Sequence, residues 1–175
     1  MQKEGFRKYL PEFVYGGVDG SVTTFAVVAG AIGASLSPAI VIILGFANLF
    51  GDGFSMAVSN YLSTKSQIDL HSSRKNESEF KHPVKTGIAT FLSFFLIGII
   101  PLLSFVLALL FPSIRTHQFL YAMILTAFAF LFVGAVKGEV VRKHPIRSAI
   151  ETLVIGGIAA SLAFAVGYLL RGIVG

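Results

Sequence analysis

The chain has 175 residues, of which 54% are hydrophobic and only 13% charged, with a formal net charge of +5. A soluble domain carries roughly 25% charged residues, so this chain cannot cover a globule with polar groups and reads as a membrane protein. It has no cysteine, which excludes a disulfide scaffold, a thiolate metal site and a cysteine nucleophile.

Five apolar stretches lie at about 14–35, 39–62, 87–111, 118–137 and 149–170. Each is near the roughly 20 residues that a helix needs to cross a hydrocarbon core. Barrel strands would alternate polar and apolar residues over about 10 positions, and these runs do not. The expectation is an all-α integral membrane protein of five transmembrane helices, with residues 1–175 forming one domain. The basic residues flank the apolar runs instead of lying among aromatics, so the bilayer, not nucleic acid, is the expected partner.

The first run follows Lys3, Arg7 and Lys8, but Glu12 and Asp19 interrupt it and no small-residue cleavage site follows. It is therefore read as a span, not a signal peptide. Within it, Asp19 sits in Gly16-Gly17-Val18-Asp19-Gly20. Those glycines either pack closely on a neighbour or loosen the helix start and expose carbonyls. Ala26, Gly30 and Ala34 form a small-residue ridge suited to close helix approach.

The second run carries Asn48, Asp52, Met56 and Asn60 at intervals of four, which stacks them on one helix face. Ser55 and Ser59 lie beside them. Residues 63–86 are expected as a short cytoplasmic loop between helices two and three. His71 and His82 flank Asp69, Glu77 and Glu79 there, a weak metal spacing against the simpler reading of solvated loop charges.

The third run has no charge from Phe91 to Phe111, and Pro101 within it should kink the helix. Glu139 and Glu151 lie near the inner ends of the fourth and fifth runs. They could form a metal-collecting mouth with Glu12, or pair with Lys137, Arg142, Arg147 or Lys8. In the fifth run Gly156 with Ala160, and Gly157 with Ser161, read as packing ridges. Twelve of the fourteen Lys and Arg residues fall in the N-terminus, the 63–86 loop and the 137–148 segment. These segments alternate along the chain, which predicts the N-terminus inside and the C-terminus outside.

An acid inside a span costs at least ~2.5–3.5 kcal/mol in lipid, which makes Asp19 and Asp52 candidates for function. At 1.5 Å per residue, Asp19 and Met56 each lie roughly 8–9 Å from the inner ends of their spans, so they could share a layer. Carboxylates and amide oxygens suit hard divalent cations, and a thioether shifts preference toward softer ones. The candidate metal ligands are Asp19, Met56, Asp52, Asn48, Asn60, Glu139 and Glu151. The competing reading makes the polar residues interhelical glue and Met56 a gap-filler. No nucleophile elbow, Walker loop or zincin motif is present, so neither an enzyme nor an ATP-driven pump is expected.

Several of these pieces resemble the vacuolar iron transporter family. They are Gly17-Val18-Asp19-Gly20 with Thr23-Thr24-Phe25-Ala26, and Gly53-Phe54-Ser55-Met56-Ala57 with Asn60-Tyr61-Leu62-Ser63. Thr90-Phe91-Leu92-Ser93-Phe94, Gly98 to Pro101, Lys137-Gly138 and Glu151-Thr152-Leu153 with Gly156-Gly157 add to them. The resemblance implies that family's five-helix fold and a homodimer. It also implies export of Fe²⁺ or Mn²⁺ from the cytosol in exchange for protons, with no resident cofactor. By the same resemblance Asp19 and Met56 line the path near the dimer interface. The setting would be a bacterial plasma membrane or a eukaryotic vacuolar membrane. Iron-transporting members insert a long glutamate-rich domain between spans two and three. Here that loop holds only Glu77 and Glu79, so the chain resembles the shorter branch. The rival readings are a membrane scaffold without transport, and a carrier of another small cation.

Overall fold

The computed structural model describes residues 8–71 and 81–174, all of the regular structure being helical. Lys3, Arg7, Arg74, Lys75, Glu77 and Glu79 lie outside the described residues. The elements are α1 (Leu10–Gly33), α2 (Pro38–His71), α3 (Pro83–Gly98), α4 (Ile100–Leu110), the single turn α5 (Pro112–Arg115), α6 (Gln118–Val140) and α7 (Pro145–Val174). Four of these are long and apolar enough to cross a membrane, and the bent pair α3 and α4 reaches that length and apolarity only when the two are taken together.

The bend is where proline chemistry puts it. The helical ladder continues as far as the Ile99 N–H, which reaches the Phe95 carbonyl at 3.0 Å. Pro101 has no N–H to extend the ladder, and Leu102 closes a tighter turn on Ile99 instead. The axes of α3 and α4 diverge by 49°.

The second helix runs farther than the hydropathy pattern indicates. Residues 63–71, expected in the loop, continue α2. Hydropathy falls at the membrane surface, but Ser63 to His71 contains no glycine or proline to stop the helix. Its 34 residues extend about 51 Å, against about 30 Å of hydrocarbon.

Helix α1 is the axis of the bundle, packed against α2, α3, α4, α6 and α7. Glycine makes this possible. A side chain at Gly16 or Gly20 would run into the α3 backbone at Thr90 or Phe94, and one at Gly33 or Gly167 would collide across the α1–α7 contact. Gly16, Gly17 and Gly20 all lie inside the continuous helix α1, so they serve close packing and do not loosen a helix start. On α7, Gly156 and Ala160 are buried, with Gly156 under Phe130, as the ridge predicts. Gly157 and Ser161 instead face out, and nothing lies within 4 Å of a Cβ at Gly157. The interior is filled by Phe25, Val28, Leu49, Phe94, Leu102, Phe105 and Phe130. Phe25 meets Phe130 edge to face at 6.4 Å.

Charge gathers at one end. There Glu12 of α1 is buried (7% exposed) and bound to Lys81 at 2.6 Å. Beside it the His82 N–H donates to the Tyr9 hydroxyl at 3.2 Å. Removing the partner of a buried charge is costly. Since the Lys81 side chain is 30% exposed, we expect Lys81→Met to lose about 2 kcal/mol. Lys81→Arg should lose much less. Thermal unfolding in detergent reads this, and an unchanged midpoint for Lys81→Met would show that the pair does not hold α1 to α3.

Candidate metal-binding site

The α1–α2 interface carries the polar side chains singled out in spans one and two. Asn48 donates from Nδ2 to Thr24 Oγ1 at 3.2 Å and more weakly to Thr23 Oγ1 at 3.4 Å. Asn60 donates to Thr90 Oγ1 at 2.6 Å, and Thr64 and Thr86 share a hydroxyl bond of 3.1 Å one turn away. Both asparagines therefore join helices, Asn48 to α1 and Asn60 to α3. In each the amide nitrogen is the engaged atom, which leaves the carbonyl oxygen for another partner.

Beside the Asn60 tie lies a cavity of about 300 Å³, lined by Tyr15 of α1 and by Ser55, Met56, Ser59, Asn60 and Ser63 of α2. Asp19 is one turn beyond Tyr15, and Asp52 is one turn beyond Met56, both toward the α1–α2 turn. The two carboxylates lie within electrostatic reach of each other. Asp19 is half-buried, whereas Asp52, Ser55 and Ser59 are exposed on the outer side of α2. A Cβ at Gly51 would meet nothing. The polar stripe thus begins at the α1–α2 seam and continues onto a face that no other helix of this chain covers.

Of the two readings of Glu12, Glu139 and Glu151, the shared mouth is not assembled among the described residues. Glu12 is engaged by Lys81. Glu139 lines a cavity of about 350 Å³ with Leu10, Val140 and Arg142. Glu151 lies in a different cavity and faces Lys137 at 3.9 Å, the pairing that was the alternative to a mouth. Among the described residues no three acidic or histidine side chains come together as a metal cluster.

Two contributions were not expected from the sequence. Tyr15 lines the cavity, and its position four before Asp19 is the signal that could have found it. Ser63 likewise extends the Ser55–Ser59 spacing by four. The threonines that receive Asn48 and Asn60 come from α1 and α3, and no spacing within α2 points to them.

Membrane-length helices around a polar seam that holds two acids and a thioether define an all-α, multi-pass membrane protein with a polar cleft between α1 and α2. The profile described as VIT family matches residues 10–82 and 71–168, and the chain belongs to this family. It is 29% identical to a vacuolar iron transporter of Plasmodium berghei over 227 aligned positions, covering 94% of this chain and 83% of that protein. It is 27% identical to the vacuolar iron transporter of Toxoplasma gondii, over 95% of this chain and 76% of that protein. It is 29% identical to vacuolar iron transporter homolog 4 of Arabidopsis thaliana over 166 positions, covering 90% and 81%. The 227 positions exceed this chain's 175 residues, so the Plasmodium protein holds residues without counterparts here. The two profile segments meet at residues 71–82, in the connection between α2 and α3.

Proposed function

We propose that this protein carries Fe²⁺ or Mn²⁺ out of the cytosol in exchange for protons, working as a homodimer with its N-terminus inside. The observation that supports this most is the pair Asp19 and Asp52, within electrostatic reach of each other inside two membrane-length helices, beside Met56 and the hydroxyl-lined cavity. A carboxylate can hold either a metal ion or a proton, which is the chemical requirement for exchange. Asp19 is the central ligand, and Met56 supplies a soft donor that favours transition metals over Mg²⁺ and Ca²⁺. Asp52 adds the second negative charge, with the carbonyl oxygens of Asn48 and Asn60 as further donors. Glu139 and Glu151 line two other cavities and stand outside this ligand set.

Exposure supports the dimer. Asp52, Ser55 and Ser59 would face lipid in a single copy, where a charge is expensive. A second copy against the open Gly51 surface brings in its own stripe, and small residues allow such close approach. Two copies together supply the acid groups that one chain lacks. The relatives named as iron transporters favour Fe²⁺. The match to the plant homologue, whose 166 aligned positions do not exceed the length of this chain, favours a path that works without an inserted capture domain.

The test is transport by the reconstituted protein. Proteoliposomes with a metal-quenched dye inside should take up Mn²⁺ and Fe²⁺ when a pH gradient is imposed, and much less without it. Protein-dependent flux unaffected by the gradient would remove proton exchange. No metal flux in either case would leave the scaffold reading.

A further inference from the structure

We propose that the pocket where α6 turns into α7 binds the phosphate of an anionic membrane lipid. The site is separate from the Asp19–Asp52 seam. It is a cavity of about 530 Å³ lined by Lys143, His144, Arg147, Ser148 and Glu151.

The electrostatics favour an anion. Lys143 and Arg147 are exposed, and neither forms an ion pair among the described residues. Glu151, the one acid in the wall, is answered by Lys137. The wall also holds the start of α7, a 30-residue helix. Pro145 has no N–H, and the Ser148 N–H is bound to the His144 carbonyl at 3.1 Å. This leaves the N–H groups of Ile146 and Arg147 at the positive end of the helix. Ser148 is 3% exposed, and its hydroxyl has no hydrogen-bond partner. A buried hydroxyl without a partner in the wall of a basic pocket is the second, independent sign of an absent acceptor.

The surroundings select a lipid over a soluble phosphate. Ile146, Ile150 and Val154 are all more than half exposed and recur every four residues along the adjoining face of α7. They lead from the pocket into the apolar run of the helix. A molecule with an anionic head and acyl chains satisfies both surfaces at once. Basic pockets between transmembrane helices at the membrane surface are suited to such headgroups. The left-handed Arg142 (φ 55°) holds the turn, with the Lys143 N–H closing on the Gly138 carbonyl at 2.8 Å. The cations are thus presented by an ordered cap.

Native mass spectrometry of the full chain released from metal-free nanodiscs tests this. Phosphatidylglycerol should be retained in preference to phosphatidylcholine and should resist excess inorganic phosphate. The double variant Lys143→Gln/Arg147→Gln should weaken phosphatidylglycerol retention roughly 30-fold, and Glu151→Gln should strengthen it roughly fivefold. Circular dichroism checks that each variant is folded. Because Glu151→Gln moves the other way, misfolding of the double variant does not decide the matter. Equal retention of the two lipids, displacement by inorganic phosphate, or a Glu151→Gln variant that binds no tighter would each overturn the proposal.

Discussion

Asp19→Asn should reduce Mn²⁺ and Fe²⁺ flux in proteoliposomes by at least about 100-fold, since even outer-shell partners of metal ligands contribute 10–100-fold to affinity. Asparagine has nearly the same shape and keeps an oxygen donor, but it carries neither a charge nor a transferable proton. The Asp19 side chain forms no hydrogen bond among the described residues, while its backbone carbonyl accepts from the Thr23 hydroxyl at 2.9 Å. The variant should therefore fold, with a melting midpoint close to that of the parent. Asp52→Asn should have a smaller effect, because Asp52 is exposed where Asp19 is half-buried. Unchanged flux in Asp19→Asn, measured with the pH gradient present, would sink the assignment of Asp19 as the exchanging group.

The second large effect concerns assembly. Gly20→Val should destabilise the protein by about 3 kcal/mol or more, as overpacking against an unyielding neighbour does. A Cβ at Gly20 lands on the Phe94 backbone, with the Phe94 Cα and carbonyl carbon at 2.9 Å. That backbone cannot yield without parting α1 from α3. Gly157→Ala is the matched control. It faces open space and should gain about 0.5–1 kcal/mol from helix propensity. Size-exclusion thermostability of the two variants gives the comparison. If both behave like the parent, close packing of α1 on α3 is not what holds the bundle together.

The spans were legible because hydropathy registers burial in lipid, and the Pro101 break because a missing N–H is a local fact. Helix ends were less legible. Ser63 to His71 stay helical outside the apolar run, where composition says only that they are polar. Partners distant in sequence were hidden altogether. Glu12 was matched with nearby Lys8, yet it binds Lys81, whose approach depends on how α1 and α3 pack. The glycines around Asp19 admitted two readings until the α3 backbone was seen against them. The four-residue spacing along α2 cannot say that Asp52 is exposed while Asn48 ties to α1 and Asn60 to Thr90 of α3.

The overlong α2 has a consequence for how this family can vary. Its last turns, from Lys65 to Leu70, are largely exposed and stand beyond the length that the hydrocarbon requires. The end of α2 at His71 is therefore set beyond the length of helix that the hydrocarbon takes up. Residues added there would lengthen an outboard appendage without touching the glycine contacts of α1. A lineage can gain or discard a whole soluble module at that point while its membrane machinery stays mechanically intact.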